Sequence, residues 1–125
     1  DAAKEKDCYA IGVDSDQAML FKDTDPEKAE LILTSMLKRI DNSLVRAVKL
    51  FEEDKLPFGT VEVLGLAEEA VGLAKNEFYE RNVPQEIKDK IEEIEEQVKN
   101  GDITVSSAFD MSDDEMQDLL ESVRP

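Results

Sequence analysis

Two short apolar runs in the first third of the chain have the pattern of sheet strands. Residues 9–13 are apolar and are followed at once by Asp14 and Asp16, which predicts a buried strand of a parallel sheet that runs into a loop at its carboxyl end. Residues 31–37 are also rich in apolar side chains, and periodicity alone does not separate a strand from a buried helical segment there. We predict a strand over 32–35.

Apolar residues recur at helical spacing further along the chain. The spacing predicts an amphipathic helix over 41–54 and a second helix over 84–100, which Gly101 can close in the left-handed conformation. An Asp-Pro pair at 25–26 predicts a helix start, and a capping-box pattern at 112–115 predicts a short final helix. The apolar stripes of the two long helices are Ile40, Leu44, Ala47, Val48 and Phe51, then Ile87, Ile91, Ile94 and Val98.

Three further segments have strand character. Residues 60–66 alternate between apolar and polar, residues 70–74 form a strand or an extended segment, and residues 103–105 form a short strand. Strands and helices therefore alternate, which predicts the α/β class with a parallel sheet flanked by helices. We divide the chain into one domain over 1–105 and an acidic tail with a short helix over 106–125.

The charge and the missing residue types exclude several functions. The 125 residues carry a formal charge of −16, which repels phosphate backbones and argues against nucleic-acid binding. The chain has no histidine and a single cysteine, Cys8, so it can build neither a Cys-His dyad, nor a Ser-His-Asp triad, nor a structural zinc site. It has no apolar stretch of transmembrane length.

Asp14 and Asp16 are the first candidate site residues. In open α/β sheets, ligands bind outside the carboxyl ends of the strands, and a carboxylate there can accept hydrogen bonds from the hydroxyls of a sugar diol. Equally, acids after a strand can simply cap a turn or the next helix. An EF-hand is excluded because Ala18 and Met19 stand at its fifth and sixth positions. Acid/base hydrolysis by the two carboxylates has no other support in the sequence.

Lys38 is the second candidate. It follows the apolar run 31–37, and a lysine at the end of a buried segment can reach into a cleft and donate up to three hydrogen bonds. The alternative is a surface lysine whose aliphatic stem lies along the protein. The residues alone leave both readings open.

Three blocks of sequence together resemble a known family. They are Ala-Ile-Gly-Val-Asp-Ser-Asp-Gln at 10–17, Ile-Leu-Thr-Ser-Met-Leu-Lys-Arg-Ile-Asp at 32–41, and Leu-Gly-Leu at 64–66 with Ala-Val-Gly-Leu-Ala at 70–74. They are similar to the C-terminal part of the basic membrane protein family. These bacterial lipoproteins are substrate-binding components of ABC importers and resemble purine-nucleoside receptors. The resemblance covers residues 2–105, and the first two blocks are specific in combination.

The resemblance implies a fold and a site. The fold is of the type I periplasmic-binding-protein kind, with two α/β lobes and a ligand cleft between them. In the cleft, Asp14 binds ribose hydroxyls, with Asp16 as the less favoured choice, and Lys38 approaches the ribose. The implied partners are a purine nucleoside and an ABC permease. No catalysis and no cofactor are implied.

The resemblance also implies that this chain is a segment of a longer protein. The first lobe, most of the second and the lipid-bearing cysteine would precede Asp1, and Cys8 does not replace that cysteine. The location would be the extracytoplasmic face of a bacterial membrane. The helix over 40–51 would belong to one lobe and the Asp14 strand to the other, so we expect the chain to associate with itself or with its other half. The alternatives are a cytoplasmic ligand-sensing regulator of the same fold and, less favoured, an α/β enzyme that uses Asp14 and Asp16.

Overall fold

A small sheet lies at the centre of the computed structural model, and helices follow each of its strands along the chain. The structure describes residues 2–108 and 111–124. The strands are β1 (Ala10–Asp14), β2 (Ile32–Lys38) and β3 (Val71–Leu73). The helices are α1 (Ala2–Glu5), α2 (Gln17–Phe21), α3 (Pro26–Glu30), α4 (Ile40–Glu52), α5 (Glu77–Asn82), α6 (Gln85–Asn100) and α7 (Asp113–Ser122).

The sheet is mixed, with the order β1-β2-β3. β1 and β2 are parallel, as predicted, whereas β3 runs antiparallel to β2. The prediction that the first strand is buried is wrong for this chain, because Ile11 and Val13 are 69% and 52% exposed. β1 also lies at the edge of the described sheet.

A shift in the pairing of β1 with β2 decides which side chains of β2 face the core. Ala10 pairs with Ile32, but Ile11 pairs with Thr34, so β2 carries one extra residue at this point. An extra residue of this kind reverses the alternation of side chains across the sheet. Ile32 and Ser35, three positions apart, therefore share one face.

That face is covered by the short helices α2, α3 and α5. Ala18 of α2, Ala29 of α3, Ile32 of β2 and Phe78 of α5 form a buried cluster, and Phe21 packs against it. The two alanines are fully buried, which allows the backbones of both helices to approach the sheet closely. This packing fixes the position of the connection between β1 and α2.

The opposite face is only partly covered, by α6. Its bounds confirm the helix predicted over 84–100, and Gly101 has φ 80° at the predicted C-terminal cap. The apolar stripe of α6 is half covered, since Ile87 and Ile94 remain 49% and 41% exposed. An apolar groove of about 350 Å³ runs between α6 and the sheet. It is lined by Met36, Leu66, Val71, Gly72, Leu73, Ile91, Ile94 and Glu95.

Residues 39–70 form an arm that leaves the sheet after β2 and returns before β3. The backbone N–H of Arg39 donates to the carbonyl of Ala70 at 2.8 Å, so the two ends of the arm lie side by side. Within the arm α4 confirms the predicted amphipathic helix, and Arg46 binds Glu62 through two hydrogen bonds of 2.9 and 3.1 Å. That α4 lies in a different lobe from β1 stays a prediction.

Two predicted strands are wrong. Residues 60–65 have no regular structure, and Val61 and Val63 are 94% and 93% exposed. Their alternating pattern lacks a neighbouring strand to pair with, and a lone strand leaves its backbone groups unpaired. Residues 103–105 likewise form no strand, and the backbone N–H of Ile103 instead donates to the carbonyl of Gln97 in α6.

The acidic tail contains one described helix, α7. Ser112 and Glu115 form the capping box that the sequence predicted, because each side chain accepts from the backbone N–H of the other residue. The apolar residues Leu119, Leu120 and Val123 remain about half exposed or more. Among the described residues, no helix combines the length and the apolar character that a membrane span requires.

Candidate functional site

The turn between β1 and α2 places the first candidate at the carboxyl edge of the sheet. Asp14 is the last residue of β1 and has φ 71°, in the left-handed region that few residues other than glycine adopt. The backbone N–H of Ser15 donates to the carbonyl of Val13 at 2.9 Å and closes the turn. The carboxylate of Asp14 is exposed, and within the described residues it has neither a hydrogen bond nor an ion pair.

Gly12 makes this turn possible through close packing. A β-carbon at Gly12 would lie 2.3 Å from the hydroxyl oxygen of Ser35 and 3.0 Å from the Cβ of Gln17. That hydroxyl accepts from the backbone N–H of Gln17 at 3.1 Å, and the side-chain amide of Gln17 donates to the carbonyl of Val13 at 2.9 Å. The start of α2 is therefore held against both strands.

Asp16 has a structural role in the same turn. Its Oδ1 accepts from the backbone N–H of Met19 at 3.3 Å, which caps α2. The same oxygen accepts from the side-chain Nδ2 of Asn76 at 2.7 Å. The contact with Met19 matches the capping alternative that the sequence offered, and ligand binding by Asp16 stays a prediction.

Asn76 is a residue that the sequence interpretation missed. Its Oδ1 accepts from the backbone N–H groups of Phe78 and Tyr79 at 2.9 and 3.0 Å, so it caps α5 while its amide group binds Asp16. The available signal was an asparagine directly before Glu77, which is a favoured arrangement at a helix start. Its contact with a residue 60 positions earlier has no signal in the sequence.

Lys38 lies at the same edge of the sheet as Asp14. Asp14 pairs with Leu37 of β2, so Lys38 is the next residue along the neighbouring strand. The ammonium group of Lys38, like the carboxylate of Asp14, has no hydrogen bond or ion pair within the described residues, and Lys38 is exposed. The structure thus brings the two candidates to adjacent strand ends without joining them directly.

This edge carries one acidic and one basic side chain, those of Asp14 and Lys38. A carboxylate accepts hydrogen bonds from hydroxyls, and an ammonium group donates them and balances the negative charge. In the part of the chain that the structure describes, no three acidic or cysteine side chains come close enough together to hold a metal ion. Cys8 is a free, exposed thiol away from this edge.

Comparison with known proteins assigns the class. A model described as the PnrA-like substrate-binding protein of ABC transporters, named Bmp, matches residues 1–104. The fold and the match together define a segment of a periplasmic-binding-type protein, a class whose members bind substrates rather than transform them. The chain belongs to the Bmp family of PnrA-like substrate-binding proteins.

Curated relatives agree with this assignment. The chain is 34% identical over 108 residues to basic membrane protein D of Borreliella burgdorferi, covering 84% of this chain and 29% of that protein. It is 32% identical over 99 residues to a CD4+ T-cell-stimulating antigen of Listeria monocytogenes, covering 78% of this chain and 27% of the relative. A protein of the same description from Listeria innocua gives the same identity and coverage. The chain therefore spans less than a third of the length of these relatives.

Proposed function

We propose that this chain supplies one wall of the ligand cleft in the substrate-binding component of an ABC importer, and that the ligand is a purine nucleoside. One observation carries the proposal: Asp14 and Lys38 lie at the carboxyl ends of adjacent parallel strands, and both are exposed with side chains that have no partner within the described residues. Their segment lies inside the part of the chain that matches the family. Binding by cleft closure performs no chemistry on the ligand.

The ribose is the part of the ligand that this edge would recognise. Neighbouring hydroxyls of a ribose can both donate to the two oxygens of the Asp14 carboxylate, and the Lys38 ammonium can donate to a hydroxyl oxygen. The base of the nucleoside would be bound by another part of the full-length protein. Asp16 has one carboxylate oxygen outside the two contacts described above and is the second choice for the ribose.

The partners and the location follow from the same proposal. A substrate-binding component delivers its ligand to a permease, on the extracytoplasmic face of the membrane, and a lipid on a cysteine upstream of this segment would anchor it there. The segment would also pack against the remainder of its protein or a second copy of itself. The exposed side chains of Ile11 and Val13 on the edge strand support such packing.

Isothermal titration calorimetry tests the ligand assignment. Guanosine, adenosine and inosine are titrated into the full-length protein, into Asp14→Asn and into Lys38→Met. Losing a buried charged hydrogen bond costs about 1.5–3 kcal/mol, so each variant is expected to bind about ten- to a hundredfold more weakly. Asp118→Asn and Lys49→Met are matched controls, because both side chains are exposed and make no described ion pair.

The outcomes separate the parts of the proposal. If the wild-type protein binds no nucleoside, the ligand class is contradicted, and unchanged affinity in Asp14→Asn contradicts the site.

Association of the isolated chain is tested by analytical ultracentrifugation at micromolar concentration. We expect dimers or larger species, and a monodisperse monomer would contradict the packing that Ile11 and Val13 suggest.

A further inference from the structure

We infer that Asn76 is a positioning residue for the ligand-binding edge, and that it acts through Asp16 on the turn that carries Asp14. The inference rests on the proposed function, because it assigns Asn76 a role in the same site. It concerns a residue that touches no ligand itself. The observation that supports the inference is the 2.7 Å hydrogen bond from the side-chain amide of Asn76 to the carboxylate of Asp16.

The orientation of the Asn76 amide is fixed by its other contacts. Its Oδ1 accepts from the backbone N–H groups of Phe78 and Tyr79, so the oxygen must face the first turn of α5. The Nδ2 group then faces away from that turn, where Asp16 accepts from it. One side chain thereby joins the start of α5 to the start of α2.

The anchor points are rigid because both helices belong to the core. Phe78 of α5 and Ala18 of α2 lie in the same buried cluster on β2. Asn76 itself is half-buried, which protects its hydrogen bond from competition with water. A contact between two well-packed elements holds its geometry better than a contact between loops.

The position of Asp16 affects the position of Asp14, because only Ser15 separates the two residues in the turn. Asp14 adopts φ 71°, a conformation that costs an aspartate energy and needs support from its surroundings. Without Asn76, the Asp16 side chain would keep only its longer contact of 3.3 Å with the N–H of Met19. A looser turn would hold the Asp14 carboxylate in several orientations, and ordering it again on binding would weaken affinity.

The chemistry explains why an amide is required at this position. An aspartate at 76 could still cap α5, but it has no hydrogen to donate and would place a second carboxylate beside Asp16. Exchanging the two residue types would restore the hydrogen bond between the side chains, because an asparagine at 16 can donate to an aspartate at 76, which can still cap α5. It would not restore the cap on Met19, since a single oxygen of Asp16 accepts both contacts. The exchanged pair therefore tests the hydrogen bond between the two side chains apart from the cap of α2.

The experiment compares the full-length wild-type protein with Asn76→Asp, Asp16→Asn and the double exchange. Affinity for guanosine, adenosine and inosine is measured by calorimetry well below the melting temperature, where all variants are folded. We expect Asn76→Asp to bind about tenfold more weakly and the double exchange to recover part of that affinity, because it regains the hydrogen bond between the side chains but not the cap on Met19. Asn82→Asp is the control, since it removes an amide that donates to the carboxylate of Glu30, the last residue of α3, just before the amino end of β2.

A second measurement needs no ligand and keeps the inference separate from the proposed function. The backbone amide chemical shifts of residues 14–17 are recorded by NMR in all variants. We expect them to move in Asn76→Asp, and we expect the shift of Asp14 to move back towards its wild-type value in the double exchange. If no nucleoside binds but the shifts behave this way, the proposed ligand fails and the positioning role stands. Unmoved shifts in Asn76→Asp, unchanged affinity in a protein that does bind, or no recovery in the double exchange would each overturn the inference.

Discussion

Replacing Gly12 by alanine should disrupt the turn that carries Asp14, and the structure says which atom is responsible. The added methyl group would lie 2.3 Å from the hydroxyl oxygen of Ser35, which is closer than real β-carbons approach any neighbour. It would also lie 3.0 and 3.1 Å from the Cβ and Cγ of Gln17. Ser35 is fully buried, so its hydroxyl cannot move out into solvent.

The loss of stability expected in Gly12→Ala has two contributions. Overpacking a buried site costs about 1–3 kcal/mol. Rotation of the Ser35 hydroxyl away from the methyl group would also break its hydrogen bond with the N–H of Gln17, which is worth about 1 kcal/mol. We therefore expect Gly12→Ala to lower the free energy of unfolding by about 2–4 kcal/mol.

A double-mutant cycle with Ser35→Ala isolates the clash. Ser35→Ala alone loses only the hydrogen bond and should cost about 1 kcal/mol. In the Gly12→Ala background the same change removes the clashing oxygen, so the double variant should be more stable than the sum of the single effects by at least about 1 kcal/mol. The tight contact with Gln17 remains, so full recovery is not expected.

The assay is equilibrium unfolding in urea followed by far-UV circular dichroism. Gly72→Ala is the matched control in the same sheet, because a β-carbon there meets no atom within 4 Å. Additive effects of Gly12→Ala and Ser35→Ala, within about 0.5 kcal/mol, would refute the reasoning, since independent sites add to within that margin. A cost at Gly72 as large as at Gly12 would also refute it.

Three further predictions concern the helices and the arm. Lys88 is buried and donates to the carbonyl and the carboxylate of Glu80 at 2.7 and 2.6 Å, so Lys88→Met should lower the free energy of unfolding by about 1–3 kcal/mol in the same assay. An unchanged stability would contradict a net contribution from these two hydrogen bonds. The buried hydroxyl of Tyr79 has no hydrogen-bond partner among the described residues. Tyr79→Phe should therefore leave the free energy of unfolding unchanged or raise it by up to about 1 kcal/mol. A clear loss of stability would contradict this. The hydrogen bonds from Arg46 hold the pKa of Glu62 below its usual value, so Arg46→Gln should raise that pKa in an NMR titration. Because folding lowers the pKa of Glu62, the Arg46–Glu62 pair stabilises the protein at pH values above the usual pKa of glutamate, and this stabilisation is lost as the pH falls through the lowered pKa. An unchanged pKa of Glu62 in Arg46→Gln would contradict this.

The candidate site divides into a part that the sequence predicts and a part that it does not. Asp14 and Lys38 follow two apolar runs, and the parallel pairing of those runs brings them to one edge, as the sequence suggested. Asn76 could not be assigned to this edge from the sequence, because its contact with Asp16 joins positions 60 residues apart. Local patterns carry no information about which helix starts become neighbours.

By itself, the sequence determined the features that depend on a few neighbouring residues. These are the two first strands, the helices α4 and α6, the left-handed cap at Gly101 and the capping box before α7. Each of them depends on side-chain spacing or on hydrogen bonds within one turn, which a local segment contains in full. The family blocks added the class of protein for the same reason, since they lie within short continuous runs.

Only the tertiary structure decided which extended segments become strands and which faces are buried. Residues 60–66 and 71–73 both have strand character, but only 71–73 lies beside β2 and pairs with it. A strand exists only where a neighbour accepts its backbone hydrogen bonds, and the neighbour is chosen by the packing of the whole chain. β1 lies at the edge of the described sheet for the same reason. Its apolar pattern is typical of a buried strand, but the described chain provides a pairing strand on one side only.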